Sequence, residues 1–216
     1  MTKVAVNKPY HHGDLRQSLI DAACEHLKES GADTLSLRAL ARKVGVSQTA
    51  PYRHFESKGA LFGAIALYGF ELLREQMSVV AVKHSEQPDT MLVEVGMSYL
   101  GFVIEHPEKY QLFFDSSLVD FTQSEDLMAA GAAAFAVLTD TIQAGIDQGI
   151  FIDRPVIEPA GAIWSSMHGM ASLMMTKEPQ MQEHAVETDV HDAMMYMAND
   201  PRPTLELFVN SIRRND

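Results

Sequence analysis

At 216 residues the chain is long enough to bury a sizeable core and to hold one or two domains. An apolar share of 46% excludes a disordered chain, and a single cysteine, Cys24, excludes an intrachain disulfide framework and fits a reducing compartment. The net charge of −12 speaks against a dedicated nucleic-acid binder only until it is divided. Residues 1–60 carry nine Lys and Arg against six Asp and Glu, a net of +3, whereas residues 61–216 carry eight against twenty-three, a net of −15. A mildly basic head on an acidic body suits a protein that touches phosphate with one end.

Residues 1–9 read as a short arm without the apolar run of a secretory signal, so a cytoplasmic location is expected. Asp14 resembles an N-cap with Gln17 three places on, and Leu15, Leu19, Ala22, Ala23 and Leu27 follow at helical spacing until Gly31. Ser36 then caps a second helix whose Leu37, Leu40, Ala41 and Val44 make one apolar face. Gly45 occupies the place where a left-handed residue ends a helix without a Cβ penalty. Val46 plugs the turn, Ser47 is a second N-cap, and Gln48 to Phe55 form a short polar and basic helix. Two helices joined by a short glycine turn are the helix-turn-helix, whose second helix lies in the DNA major groove.

Ser57 starts a long helix to about Val82 that connects head and body. Further helices are predicted over 88–105, 107–114, 124–148, 157–176 and 203–214, with a short one near 188–198 and no convincing strand. Pro107 fits a first helical position, and Gly149 stops the 124–148 span. Residues 159–176 lack Asp, Glu, Lys and Arg and reach the lower length limit of a membrane span. Their proline, serines, histidine and glycines suit a helix buried in a protein assembly better. The expected fold is all-α: a helix-turn-helix head over 10–60 and a helical ligand-binding and dimerisation domain over 61–216.

Residues 31–62 resemble the N-terminal domain of TetR-type transcriptional regulators, through Leu37-Arg-x-Leu-Ala41, Gly45-Val-Ser47, Tyr52-Arg-His-Phe55 and Ser57-Lys-x-x-Leu-Phe62. Tyr10-His-His-Gly-Asp-Leu-Arg16 is similar to one branch of that family. Gly96-x-x-Tyr-x-x-Phe102, His106-Pro-x-x-Tyr-x-x-Phe113 and Trp164-x-x-x-His-Gly169 resemble the branch named for its Trp-His-Gly motif. The resemblance implies an all-α homodimer that binds a palindromic operator in double-stranded DNA and releases it when a small molecule enters the C-terminal domain. Pro51, where many relatives carry a non-proline residue, departs from the pattern and is expected to kink the reading helix.

Gln48, Thr49 and Ala50 are the candidates for base edges, since Gln pairs with adenine and small methyls meet thymine. Tyr52, Arg53, His54 and Lys58 are candidates for the phosphate backbone, with the N-cap Ser47 in the same DNA-binding set; of the outward-facing arginines of the second helix, Arg38 is taken to reach a phosphate and Arg42 reads as a solvated charge. Tyr10, His11 and His12 either reach DNA or order the first helix. Two adjacent histidines do not supply a zinc ligand set, and neither a metal nor a cofactor is expected. Nor does any nucleophile elbow or P-loop point to an enzyme.

His168, one turn from Trp164, is either a satisfied core histidine or the polar handle of an apolar ligand pocket. Met167, Tyr99, Phe102, Tyr110 and Phe113 would complete that pocket for an unidentified uncharged or weakly anionic effector. Gly161, Ser165 and Gly169 form a stripe of small residues that suits a subunit contact. The rival to a ligand-responsive repressor is a ligand-independent architectural or nucleoid-associated DNA-binding protein.

Overall fold

The computed structural model describes residues 15–175 and 189–214. The arm, Asp14, Tyr10, His11 and His12 lie outside the described residues, as does Thr176 at the end of the uncharged stretch. In chain order the helices are α1 (Leu15–Ser30), α2 (Leu37–Val44), a 3-10 segment (Ala50–Arg53), α3 (Lys58–Lys83), α4 (Pro88–Glu105) and α5 (Pro107–Phe114). After a short 3-10 turn (Phe121–Gln123) come α6 (Glu125–Asp147), α7 (Ile157–Met175), α8 (Asp189–Asn199) and α9 (Arg202–Ile212). No strand occurs among the described residues beyond an isolated bridge between Phe151 and Arg213. The fold is all-α.

The caps act where the residue types place them. Ser36 accepts a hydrogen bond from the Ala39 amide and Ser57 from the Ala60 amide, each satisfying an orphan donor of a first turn. Gly45 ends α2 at φ +78°, its amide donating to the Arg42 carbonyl, while the Val46 amide bonds the Ala41 carbonyl. α1 and α2 bury Leu19, Ile20, Ala23, Leu37 and Leu40 against Phe55, Leu61 and Phe62, closing the head around its own core. α3 crosses the expected 60/61 boundary and packs along α4, α5 and α6.

Two glycines set close approaches in the body. A Cβ on Gly96 would stand 3.1 Å from Leu205, so Gly96 lets α9 lie against α4. At Gly145 that space is filled by the fully buried Phe151 ring. The Ile152 amide donates to Ile212 O and the Arg214 amide to Ile150 O, tying the C-terminal helix to the loop after α6.

Among the described residues, the helix with the length and composition to cross a membrane is α6, not α7 around Trp164. It packs against α3 and α4.

Candidate functional site

The reading segment is not the α-helix expected over Gln48–Phe55. Gln48 and Thr49 form a turn, and only Ala50–Arg53 coil further, as a 3-10 turn. Pro51 explains this, because it has no amide to give an α-helical ladder and its ring fixes φ. The Ala50 amide instead donates to Ser47 O, and the His54 and Phe55 amides both donate to Pro51 O. Pro51 is itself buried, so it anchors the segment where a kink was expected. Ser47 caps no backbone amide; its hydroxyl lies 3.3 Å from that of Thr49.

Ser47, Gln48, Thr49, Tyr52, Arg53 and His54 are all exposed, whereas Ala50 is half-buried. Arg38 and Arg42 are exposed on α2. Lys58 is held more firmly than expected: its ammonium donates to the Ala32 carbonyl at 2.6 Å and lies 5.4 Å from the Phe62 ring centroid. That tie fixes the start of α3 to the end of α1.

In the body, a cavity of about 550 Å³ is walled by α3, α4, α5, α6 and α7. Tyr99, Phe113, Trp164 and Met167 line it as expected. Phe70, Met77, Val95, Phe114, Phe135, Leu138 and Ile157 line it too, with Gly131, Ala132, Ala134 and Gly161. No charged residue lines the wall, and the lining residues that carry a polar side-chain atom are Tyr99 and Trp164. Small residues on α6 leave the room that aromatic residues on the other helices would otherwise fill.

Three candidates fall outside this wall. Phe102 stands behind it, stacked on Phe113 at 5.8 Å. Tyr110 and His168 line a neighbouring pocket with Asp115 and Ser172. Tyr110 Oη lies 2.6 Å from His168 Nδ1, so His168 is a satisfied, half-buried histidine packed 4.3 Å from the Phe114 ring. No group of His, Cys, Asp and Glu among the described residues is arranged to hold a metal ion.

Residues 19–65 match the family described as "Bacterial regulatory proteins, tetR family", and residues 92–197 match "Tetracyclin repressor-like, C-terminal domain". The chain belongs to the TetR family. It is a DNA-binding transcriptional regulator. Over 176 residues it is 21% identical to the uncharacterised HTH-type regulator YobS of Bacillus subtilis, covering 82% of this chain and 87% of that one. Over 52 residues it is 48% identical to the class D tetracycline repressor protein of Escherichia coli, covering 24% of each chain. A solved protein of unknown function from Rhodococcus sp. RHA1 superposes with a TM-score of 0.74 at 25% identity, covering 96% of this chain and all of the other.

The seam between this TetR-family head and its body carries a charge cluster that sequence patterning missed. Glu108 and Lys109 of α5 are both buried and pair at 2.8 Å. Lys28 of α1 reaches across, 3.5 Å from the other Glu108 oxygen and 3.4 Å from the Glu105 carbonyl. Burial, with Lys109 beside it, pulls the His106 imidazole below its ordinary pKa. α5 thus presents charge to the head at its root and Phe113 and Phe114 to the cavity at its tip. A stretch of adjacent Glu-Lys reads as solvated surface; only the packing of α1 onto α5 buries it.

Proposed function

We propose that this regulator is a ligand-responsive homodimeric repressor of the Trp-His-Gly branch, acting on a palindromic operator in the cytoplasm rather than as an enzyme. The observation that carries the reading is the cavity: about 550 Å³ of apolar volume lined by no charged residue. A body serving only dimerisation has no use for such a space, which weighs against the architectural alternative. Its lining suits an uncharged small molecule better than an anionic one, since a carboxylate there would lose water without gaining a cation.

Gln48 and Thr49 are assigned to base edges and Arg38, Ser47, Tyr52, Arg53, His54 and Lys58 to the backbone; Ala50 contributes a methyl at the segment's inner side. The second copy would cover α7 and α9, where Trp164 and Leu173 are partly exposed and Leu207 is 68% exposed. A Cβ on Gly161 or Gly169 meets nothing within 4 Å inside this chain, leaving room for a partner helix. Effector entry would act through α5, whose tip lines the cavity and whose root holds Lys28 of the head. A coupling of roughly 1–3 kcal/mol between the two sites suffices for release.

The test is binding to DNA selected from a random pool, followed by a screen for compounds that release it. Recovered sites should be palindromic, and affinity should fall steeply with salt, with a log–log slope of about −0.9 per phosphate neutralised. Non-palindromic recovery, or no compound that both binds the body and shifts operator affinity, would return the architectural reading.

A further inference from the structure

Three side chains of the body form a hydrogen-bonded line that an apolar cavity does not call for. Tyr99 Oη lies 2.9 Å from Tyr110 Oη, and Tyr110 Oη lies 2.6 Å from His168 Nδ1. Tyr99 belongs to the wall of the large cavity, while Tyr110 and His168 face the neighbouring pocket of about 440 Å³. Burial raises the pKa of both phenols, that of Tyr99 further, with Tyr110 beside it adding to the effect. Both therefore keep their protons at neutral pH.

Two hydroxyl protons shared along three groups impose a direction. A phenol donates well and accepts poorly, and an unprotonated imidazole nitrogen is the strongest neutral acceptor among side chains. The 2.6 Å separation is short even for a hydroxyl bond, as expected when the better donor meets the better acceptor. Tyr110 thus donates to His168 Nδ1, which leaves the imidazole proton on Nε2. The Tyr110 oxygen is left to accept, so Tyr99 donates to it. Both protons are committed, and Tyr99 Oη keeps only lone pairs for anything in the cavity.

We propose that the Tyr99–Tyr110–His168 line makes Tyr99 Oη an obligate acceptor, so that the cavity selects an apolar molecule bearing one hydroxyl or N–H donor over the matching ether or ketone. The proposal rests on the cavity being the effector site. Trp164, the other lining residue with a polar side-chain atom, carries a donor, and its contribution stays the same when Tyr99 or Tyr110 is changed, so those variants isolate the tyrosine line. An ether or ketone oxygen brought against Tyr99 would set lone pair against lone pair and lose its water, whereas a donor regains the bond it gave up.

Calorimetric titration of the 216-residue protein with propylbenzene, para-propylphenol, para-propylanisole and para-ethylacetophenone tests this. The phenol should bind about tenfold more tightly than the anisole or the ketone. Tyr99→Phe should remove that preference, with circular dichroism verifying that the variant folds. Tyr110→Phe gives the sharper signature, because it releases the Tyr99 proton and should turn the preference toward the ketone. Equal phenol and anisole affinities in the parent, or a phenol preference untouched by Tyr110→Phe, would overturn the proposal while propylbenzene binding kept the cavity reading. Failure of propylbenzene itself to bind would sink the cavity reading and this inference with it.

Discussion

The head and the body use the same helices for opposite ends. In the head, polar and basic side chains stand exposed on a turn held by backbone bonds and by one buried ring, Pro51. In the body, helices wall a space lined by no charged residue. Their glycines show the difference. Gly45 has open space around it and is needed for its φ of +78°; Gly145 has an ordinary backbone and is needed because Phe151 occupies its side-chain space. Conformation decides the head, volume decides the body.

Gly145→Val should therefore give the largest stability loss. Overpacking against fully buried Phe151 costs typically about 1–3 kcal/mol. In a protein of this size that lowers the melting temperature by about 2–4 °C per kcal/mol, as circular dichroism would record. Gly45→Ala should cost less, about 1–2 kcal/mol of left-handed strain, yet harm operator affinity more because it re-aims Gln48 and Thr49. A Gly45→Ala variant with full operator affinity would erase the distinction.

Within the head, Gln48→Ala should change which sequence is preferred, by about 1–3 kcal/mol at one base pair. Lys58→Ala should weaken all sequences alike and also lower the melting temperature, since it releases Ala32 O and Phe62. A Lys58 variant that altered preference alone would reverse the assigned roles. In the body, Trp164→Phe should impair effector release while operator affinity in gel-shift titration stays near the parent's. Loss of operator affinity in that variant would mean that cavity and head are not separable.

The smallest effect concerns Cys24. Burial, the largest cause, raises its thiol from 9.0 to about 11. The folded state thus favours the protonated thiol. Stability from this group is full below pH 9 and is lost as pH rises toward 11. A disulfide exchange reagent at pH 8 should label the folded chain far more slowly than the unfolded one; equal rates would show that α1 opens freely.

Much of this architecture was legible because caps and breakers are local chemistry. Ser36, Gly45, Ser57, Pro107 and Gly149 each mark a boundary within a residue or so of the one observed. The reading segment misleads for the same reason in reverse: Pro51 reads as a flaw in an α-helix, whereas it is a buried residue of a 3-10 turn. The cavity was half-legible. Aromatic residues on α4, α5 and α7 pointed to it, but aromatic patterning cannot separate the wall from the layer behind, and Phe102 belongs to the latter. The alanine and glycine run Ala129–Ala134 on α6 is the sequence mark of the cavity, since missing side-chain volume is what makes room. The Lys28–Glu108–Lys109 cluster had no local signature, because its partners are 80 residues apart and meet only through tertiary packing.

The chain holds one cysteine and one tryptophan, and their positions make it a self-reporting instrument. Cys24 sits in α1 facing the charges of α5, and Trp164 stands at the rim of the cavity. Tryptophan emission then registers an occupant of the body, while thiol reactivity registers any parting of α1 from α5, with no residue changed. Recorded on one sample, the order in which the two signals move would show whether the occupant opens the seam or finds it already open.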